Sequence, residues 1–370
     1  MRVLSLFDGM SCGQQALERA GFKVDNYFAS EIDKYAIQVT MANYPNTIQL
    51  GSVVNVDGYS LPKIDLLIGG SPCQSFSFAG KRKGMATKCE TEILTLEHYL
   101  ELKEQGFEFE GQSYLFWEYM RLLNECKPTY FLLENVEMGE KWEKVLSKAI
   151  GVNGIHINSS LVSAQNRKRI YWTNIGLESA GLFGDMESII KQPKDKGILL
   201  KDILEKEVDE KYFLSEKMLN YFYRNDIDCK EKGTGFRFTP EDNFEKKSKT
   251  LVKNEGIQMQ NNFIKIDKQG RDNPILTSQT NDNLVAIMLG RSASWGMPEN
   301  GGGESYTLCK EQPHGIKSNS RIRRLTPLEC ERLQTVKDGY TNHVSDSQRY
   351  KMLGNGWTVD VIAHIFSYMK

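Results

Sequence analysis

A thiol after a proline, at the end of an apolar run, opens the chemistry of this chain. The segment Gly69-Gly70-Ser71-Pro72-Cys73-Gln74-Ser75-Phe76-Ser77-Phe78-Ala79-Gly80 puts Cys73 at the carboxyl end of a strand-like stretch, where ligand sites of parallel sheets lie. Few thiols of ordinary pKa are ionised near neutrality, so neighbouring cations matter for nucleophilicity. Lys81, Arg82 and Lys83 follow directly after it. A free cysteine is most often a small buried hydrophobe, and from these residues alone that reading stays open. Farther on, Tyr130-Phe131-Leu132-Leu133-Glu134-Asn135-Val136 is a buried-strand pattern that stops on a carboxylate. Close to apolar walls, such a Glu can serve as a general acid or hydrogen-bond donor; a strand-terminating surface Glu is the alternative. Gln165-Asn166-Arg167-Lys168-Arg169 offers fixed-charge donors suited to phosphate or carbonyl oxygens, or else a solvated charge run. At the start, Phe7-Asp8-Gly9-Met10-Ser11-Cys12-Gly13 joins a strand to a helix. Glycines there let a cofactor approach the backbone, and the helix start offers free N–H donors. Glu31 ends the next strand, the place where an acid binds ribose hydroxyls, although a tight turn with a solvated Glu reads the same way.

These residues need a frame, and the pattern supplies one. Up to about Asn174, short apolar runs alternate with amphipathic stretches, as in a parallel sheet with crossover helices. The expected strands are Val3 to Phe7, Asn26 to Ser30, Ile64 to Gly69, Tyr130 to Leu133 and Ile170 to Thr173. Helical spacing covers Gly13 to Ala20 and Ser113 to Cys126, the second stopping before Lys127-Pro128. From Gly176 to Ile316 the chain turns polar, with Asn clusters and the run Gly301-Gly302-Gly303. That composition reads as a loop-rich unit with short strands, such as Phe263 to Ile266 and Leu284 to Ile287, and few long helices. Helical periodicity returns in Pro327 to Leu333 and Val359 to Met369, and this tail is expected to pack on the first unit.

Bulk properties bound the reading. The 370 residues, 40% hydrophobic, suffice for a large domain plus a smaller one. With 47 basic and 48 acidic residues the net charge is -1, so a nucleic-acid surface, if present, is local. Seven scattered cysteines without a Cys-x-x-Cys pair argue against structural zinc and for a reduced, intracellular protein. Met1-Arg2-Val3-Leu4 enters a strand directly, without a charged leader, and no run of apolar residues is long enough for a membrane span. The chain reads as cytoplasmic, with no membrane partner.

In combination and order, these segments resemble the motif series of the C5-cytosine DNA methyltransferase family. The resemblance covers most of the chain outside about 176 to 318. It rests on Phe7-Asp8-Gly9 through Gly13, Pro72-Cys73-Gln74, Glu134-Asn135-Val136 and Gln165-x-Arg167-x-Arg169. Near the end it continues in Arg324-Leu325-Thr326-Pro327-x-Glu329-x-x-Arg332-Leu333-Gln334 and Gly354-Asn355-Gly356. It implies a Rossmann-like α/β sheet that uses S-adenosylmethionine, with a smaller target-recognition domain inserted. The implied division is 1–175 catalytic and cofactor-binding, 176–318 target-recognition, and 319–370 completing the catalytic domain. Catalytic roles fall on Cys73, Glu134, Arg169 and Arg167. The implied cofactor pocket takes in Phe7, Asp8, Gly9, Met10, Gly13, Glu31, Ile32, Ser52, Val53, Pro72, Leu115, Asn355, Gly356 and Trp357, with no metal. Glu31 would hold the ribose, and Ile32 and Val53 the adenine. One departure is Gly51-Ser52 where the family usually has Gly-Asp, which implies weakened cofactor binding at most. A second is the charged stretch between Gly84 and Gly111, longer than the usual link and read as a surface insert in preference to an extension of the loop that closes over DNA.

The resemblance further implies duplex DNA as substrate, read by side chains of 176–318 such as Arg237, Arg271 and Arg291. The family allows a cognate restriction endonuclease as partner and leaves oligomeric state open. Leu6-Phe7-Asp8-Gly9 and Gly354-Asn355-Gly356-Trp357-Thr358-Val359 are closer to the mammalian de novo enzymes than to many bacterial members; the absence of regulatory domains points to a bacterial or phage origin. Competing readings are methylation of RNA, a catalytically silent DNA-binding homologue, and a modifier of free nucleotides. Intact Cys73 and Glu134 argue against the second, and the long inserted region against the first and third.

Overall fold

The computed structural model describes residues 1–72, 92–109, 111–180, 185–233, 238–251, 263–267, 285–288, 314–317 and 320–370. Its centre is a seven-stranded sheet, β1 (Arg2–Leu6), β2 (Asn26–Ser30), β3 (Ile48–Gln49), β4 (Leu66–Gly70), β5 (Tyr130–Val136), β6 (Ile155–Asn158) and β7 (Lys168–Thr173), in the order β3-β2-β1-β4-β5-β7-β6. The strands from β3 to β5 run parallel. Strand β7, expected in a parallel sheet, is instead antiparallel to both neighbours. A short connection suffices for that hairpin, whereas a parallel return needs a crossover helix.

Alternation along the central strands divides the core. Val3, Leu66, Ile68 and Leu132 point to one face, Leu4, Leu6, Leu67 and Leu133 to the other, as the period of two dictates for strands covered on both sides. Helices α1 (Cys12–Arg19) and α2 (Lys34–Asn43) follow β1 and β2. The stretch read as a surface insert contains α3 (Leu96–Glu104), which is part of the core. Ile93, Tyr99 and Leu102 are buried with Phe116, Trp117 and Met120 of α4 (Phe116–Cys126). Sequence reading missed α3 because acids and lysines hide its apolar face. It also missed α5 (Glu140–Ile150), between β5 and β6.

In the polar half, β8 (Leu177–Ala180) and β9 (Asp185–Ser188) form a hairpin, followed by α6 (Leu200–Ile203) and α7 (Glu216–Lys232). The 17 residues of α7 depart from the expectation of few long helices. Its start is marked by Ser215, whose hydroxyl accepts the Met218 N–H, and its end by Gly233. Strand β10 (Phe263–Asp267) pairs antiparallel with β13 (Ser320–Arg324), and β11 (Val285–Met288) with β12 (His314–Lys317). A small core of Phe222, Phe238, Phe263 and Ile322 packs α7 against the β10–β13 pair. Ile190, Leu200, Ile203, Phe244 and Leu251 instead join the core of the large sheet, so this part of the chain packs onto the sheet and is not strung on a linker.

The C-terminal helices α8 (Pro327–Leu333), α9 (Asp346–Asn355) and α10 (Val359–Phe366) return to the large sheet. Thr326 and Glu329 cap α8 reciprocally, with Pro327 in its first turn. Glu329 also takes a two-pronged ion pair from buried Arg323, 2.7 Å at each oxygen.

Candidate active site

The carboxyl ends of β1, β2, β4 and β5 open on one edge of the sheet, and the motif residues collect there. The turn after β1 is strained: Phe7, Gly9 and Ser11 all have positive φ, near 56°, 59° and 58°. For Phe and Ser such a backbone is costly and persists only where its surroundings impose it. Glu31 imposes part of it. One carboxylate oxygen accepts the Gly9 N–H at 2.8 Å, and the other those of Ile32 and Asp33 at 2.7 and 2.8 Å. Asp8 imposes the rest, turned inward to accept from Tyr27 (2.8 Å) and the Ser11 hydroxyl. Burial, opposed by hydrogen bonds from Ser11, Ser5 and Tyr27, pushes the Asp8 carboxyl up to about 6. From the far end of the chain, the Tyr340 hydroxyl donates to the Met10 carbonyl at 2.7 Å. Ile32 stands 72% exposed beside Glu31, an apolar surface at the mouth of the turn. Gly13 faces away from that mouth: a β-carbon there would lie 2.4 Å from the Ile68 side chain and 2.7 Å from the Tyr27 hydroxyl. Its placement serves close packing of α1 on the sheet.

Where β4 ends, Glu134 of β5 lies level with Gly70 in register. Arg169 of β7 reaches it, with Nε 3.0 Å from a carboxylate oxygen, both side chains nearly buried. Trp357 closes the same corner. A β-carbon on Gly70 would lie 2.9 Å from the indole nitrogen and 3.1 Å from Glu134 Oε2, so only glycine lets these groups approach. Asn135 is buried and donates to the Ser71 hydroxyl at 3.0 Å and to its carbonyl at 3.3 Å. It thereby anchors the Ser71-Pro72 turn that leads directly into position 73.

Arg167, given a catalytic role from its motif, is tied to backbone. Its guanidinium is buried and donates to the carbonyls of Leu251 (3.0 Å), Gly354 (3.2 Å) and Gly356 (2.9 Å). It ties the end of α9, Gly354-Asn355-Gly356, to the polar half of the chain. Gln165 and Gln334 assist: Gln165 Nε2 donates to the Leu333 carbonyl and to Gln334, and Gln334 Nε2 to the carbonyls of Leu353 and Gly356. Asn135 and Gln334 belong to motifs quoted from the sequence, yet nothing in the sequence marks them as struts. On the flank formed by β3 and α4, Ser52 starts the turn of Val53 to Asn55, and Leu115 precedes α4. Cys73, Lys81, Arg82 and Lys83, like Arg237, Arg271 and Arg291, lie outside the described residues. Among the described cysteines, burial pushes the Cys12 thiol up to about 12, that of Cys126 to about 11, and Cys330 well above its ordinary value. None of these three is a rival nucleophile. No cluster of metal-ligating side chains occurs among the described residues.

Comparison with known proteins decides what this arrangement belongs to. A family model described as C-5 cytosine-specific DNA methylase matches residues 1–370. The chain belongs to that family. It is similar to the orphan methyltransferase M.SPRI of Bacillus phage SPR, 28% identical over 99% of this chain and 96% of the relative. It is similar too to the type II methyltransferase M.NlaX of Neisseria lactamica, 27% identical over 100% and 96%. In fold it resembles Spodoptera frugiperda DNMT2 (TM-score 0.58, 21% identity, 99% of this chain and 98% of that one) and the Entamoeba histolytica methyltransferase EhMeth (TM-score 0.60, 14% identity, 100% and 97%). As a C-5 cytosine DNA methyltransferase, the chain has the Rossmann-like α/β sheet that its motifs implied. No helix among the described residues is long and apolar enough to cross a membrane.

Proposed function

We propose that this enzyme methylates C5 of a cytosine flipped out of a specific duplex DNA site, through a transient bond between Cys73 and ring carbon C6, with S-adenosylmethionine as donor. The observation that carries the reading is the Glu134–Arg169 pair, 3.0 Å apart, beside Trp357 and the β4 end from which the chain runs through Pro72 into Cys73. The donor's fit is tested by the turn after β1. Its strained backbone, the Glu31 carboxylate and exposed Ile32 form a shelf suited to a ribose and an adenine, flanked by Ser52, Val53 and Leu115. Phe7, Gly9, Met10, Pro72, Asn355, Gly356 and Trp357 complete the pocket, with Asp8 and Gly13 shaping it from behind. When bound, S-adenosylmethionine supplies an electrophilic methyl group.

Cytosine C5 is a poor nucleophile, so the chain's own groups must raise its electron density. The Cys73 thiolate adds to C6, and the electron pair of the C5=C6 bond shifts into the ring. Glu134 hands a proton to N3, where negative charge would otherwise develop, and accepts a hydrogen bond from the exocyclic amino group, while Arg169 orients Glu134 and faces the base carbonyl. Once C5 carries the methyl group, a base or water takes its proton. The C5=C6 bond re-forms, the N3 proton returns to Glu134, and the Cys73 thiolate is expelled. Flipping the base costs on the order of a few kcal/mol. The 176–318 region supplies sequence recognition, phosphate contacts hold the duplex, and the enzyme works in the cytoplasm, with a restriction endonuclease as partner where one is encoded.

Duplex DNA carrying 5-fluorocytosine at the target site provides the test, because fluorine cannot leave as a proton does. With donor present, wild type should form a covalent complex stable to denaturing electrophoresis, and Cys73→Ser should form none while binding donor normally. Equal trapping by Cys73→Ser, or methylation of tRNA but not duplex DNA, would overturn the proposal.

A further inference from the structure

Helix α4 carries a buried rail of charges that the reaction itself does not use. Glu118, Arg121 and Glu125 are spaced three and four residues apart and so share one face of the helix. Glu118 is fully buried. It accepts the Tyr99 hydroxyl and Lys103 Nζ, each at 2.5 Å, both from α3. On its other side it takes two nitrogens of Arg121 at 2.8 and 2.7 Å. Arg121 in turn binds both oxygens of Glu125 and donates to the Val53 carbonyl at 3.1 Å. Glu125 accepts the Gly58 N–H at 2.9 Å. The two ends of the 53–58 segment, a carbonyl at one and an N–H at the other, therefore hang on this rail.

A buried carboxylate is stable only with its partners in place. Removing the α3 donors leaves Glu118 with Arg121 alone, and the guanidinium must then be shared differently between Glu118, Glu125 and the Val53 carbonyl. The Val53 side is the flank assigned above to the adenine, so the inference rests on that pocket reading. We propose that Glu118 is a positioning residue through which α3, in the stretch that departs from the family's usual length, sets the adenine end of the donor pocket. The 92–109 segment thus acts on donor affinity and not on DNA.

The test compares the double variant Tyr99→Phe/Lys103→Met with Glu118→Gln and Glu31→Ala. S-adenosylhomocysteine affinity is read by calorimetry, KM for donor and kcat by methylation assay, and duplex affinity by fluorescence anisotropy. The double variant should raise the dissociation constant and the donor KM about tenfold, with kcat and duplex affinity within about twofold of wild type. Glu118→Gln alone, which keeps an acceptor for the Tyr99 hydroxyl, should raise the donor KM less than the double variant does. A double variant with normal donor affinity, whether folded and active or merely less stable, would overturn the role of Glu118. A loss of duplex affinity with donor KM unchanged would do so too, by moving α3 to the DNA side. Glu31→Ala separates the two levels: normal donor affinity in that variant refutes the pocket itself, whereas its loss beside an unaffected double variant refutes only the rail.

Discussion

Arg167 and Arg169 lie two positions apart in one motif and do unrelated work. Arg169 faces Glu134, whereas Arg167 spends its donors on three backbone carbonyls. Arg167→Met should therefore lower stability to denaturant by about 2–4 kcal/mol, since buried carbonyls lose a charged donor. The salt dependence of DNA binding should stay unchanged, which a phosphate-binding arginine would not allow. Arg169→Met should leave donor affinity intact and cut kcat by at least about a hundredfold, because Glu134 loses its orienting partner; single-turnover methylation reads this directly. Asp8 gives a pH prediction. Its carboxyl is raised from 3.8 to about 6 in the folded chain, so the folded state holds a proton that the unfolded state has released. Stability then falls as pH rises from about 4 to about 6 and stays lower above that. Asp8→Asn should flatten this part of the curve of Tm against pH; an unaltered slope would assign it to other groups.

Elements position these residues through contacts that local spacing does not reveal. The β4–β5 register brings Glu134 to Gly70, and Asn135 holds the Ser71 turn, so one strand both places the acid and steadies the approach to Cys73. Gly13 shows how tightly α1 must sit. A methyl there meets Ile68 at 2.4 Å, and Gly13→Ala should cost about 1–3 kcal/mol by overpacking, measured by chemical denaturation, with donor affinity falling only as far as α1 shifts. Strand β1, helix α1 and strand β5 were legible in the sequence to within a few residues, because hydrophobic period and flanking glycines mark them. Helix α3 was not, since its buried face carries only a few residues and its polar ones, Tyr99 and Lys103, belong to the core through a partner on another element.

At the scale of the whole molecule, the two ends of the chain pack against each other, and the proposed pocket would draw on both. Tyr340 reaches the Met10 carbonyl, Arg19 pairs with Asp360, and Tyr130 meets Lys370. Donor binding should therefore protect residues 7–13 and 352–357 together from amide hydrogen exchange. It should stabilise the chain by about 2.7 kcal/mol at a hundred times the dissociation constant. Protection confined to the N-terminal turn would disprove a shared pocket. Net charge is only -1, yet duplex affinity should fall steeply with salt, by a slope of about -0.9 for each phosphate neutralised, because local contacts set that slope and total charge does not.

From the order of its motifs alone, the chain could be read as a methyltransferase, with Cys73 and Glu134 as the pair to watch, since residue types at strand ends follow from hydrophobic pattern and position along the chain. The tertiary structure alone showed which motif residues pack as struts: Arg167 on three backbone carbonyls, Asn135 on Ser71, Asp8 under Tyr27, and Gly13 against Ile68. It also placed α3, within a supposed surface insert, in the core. Spacing along a chain reports the side of a helix or strand on which a residue lies, but its partner comes from an element tens or hundreds of positions away, and burial with that partner is what separates a strut from a catalyst.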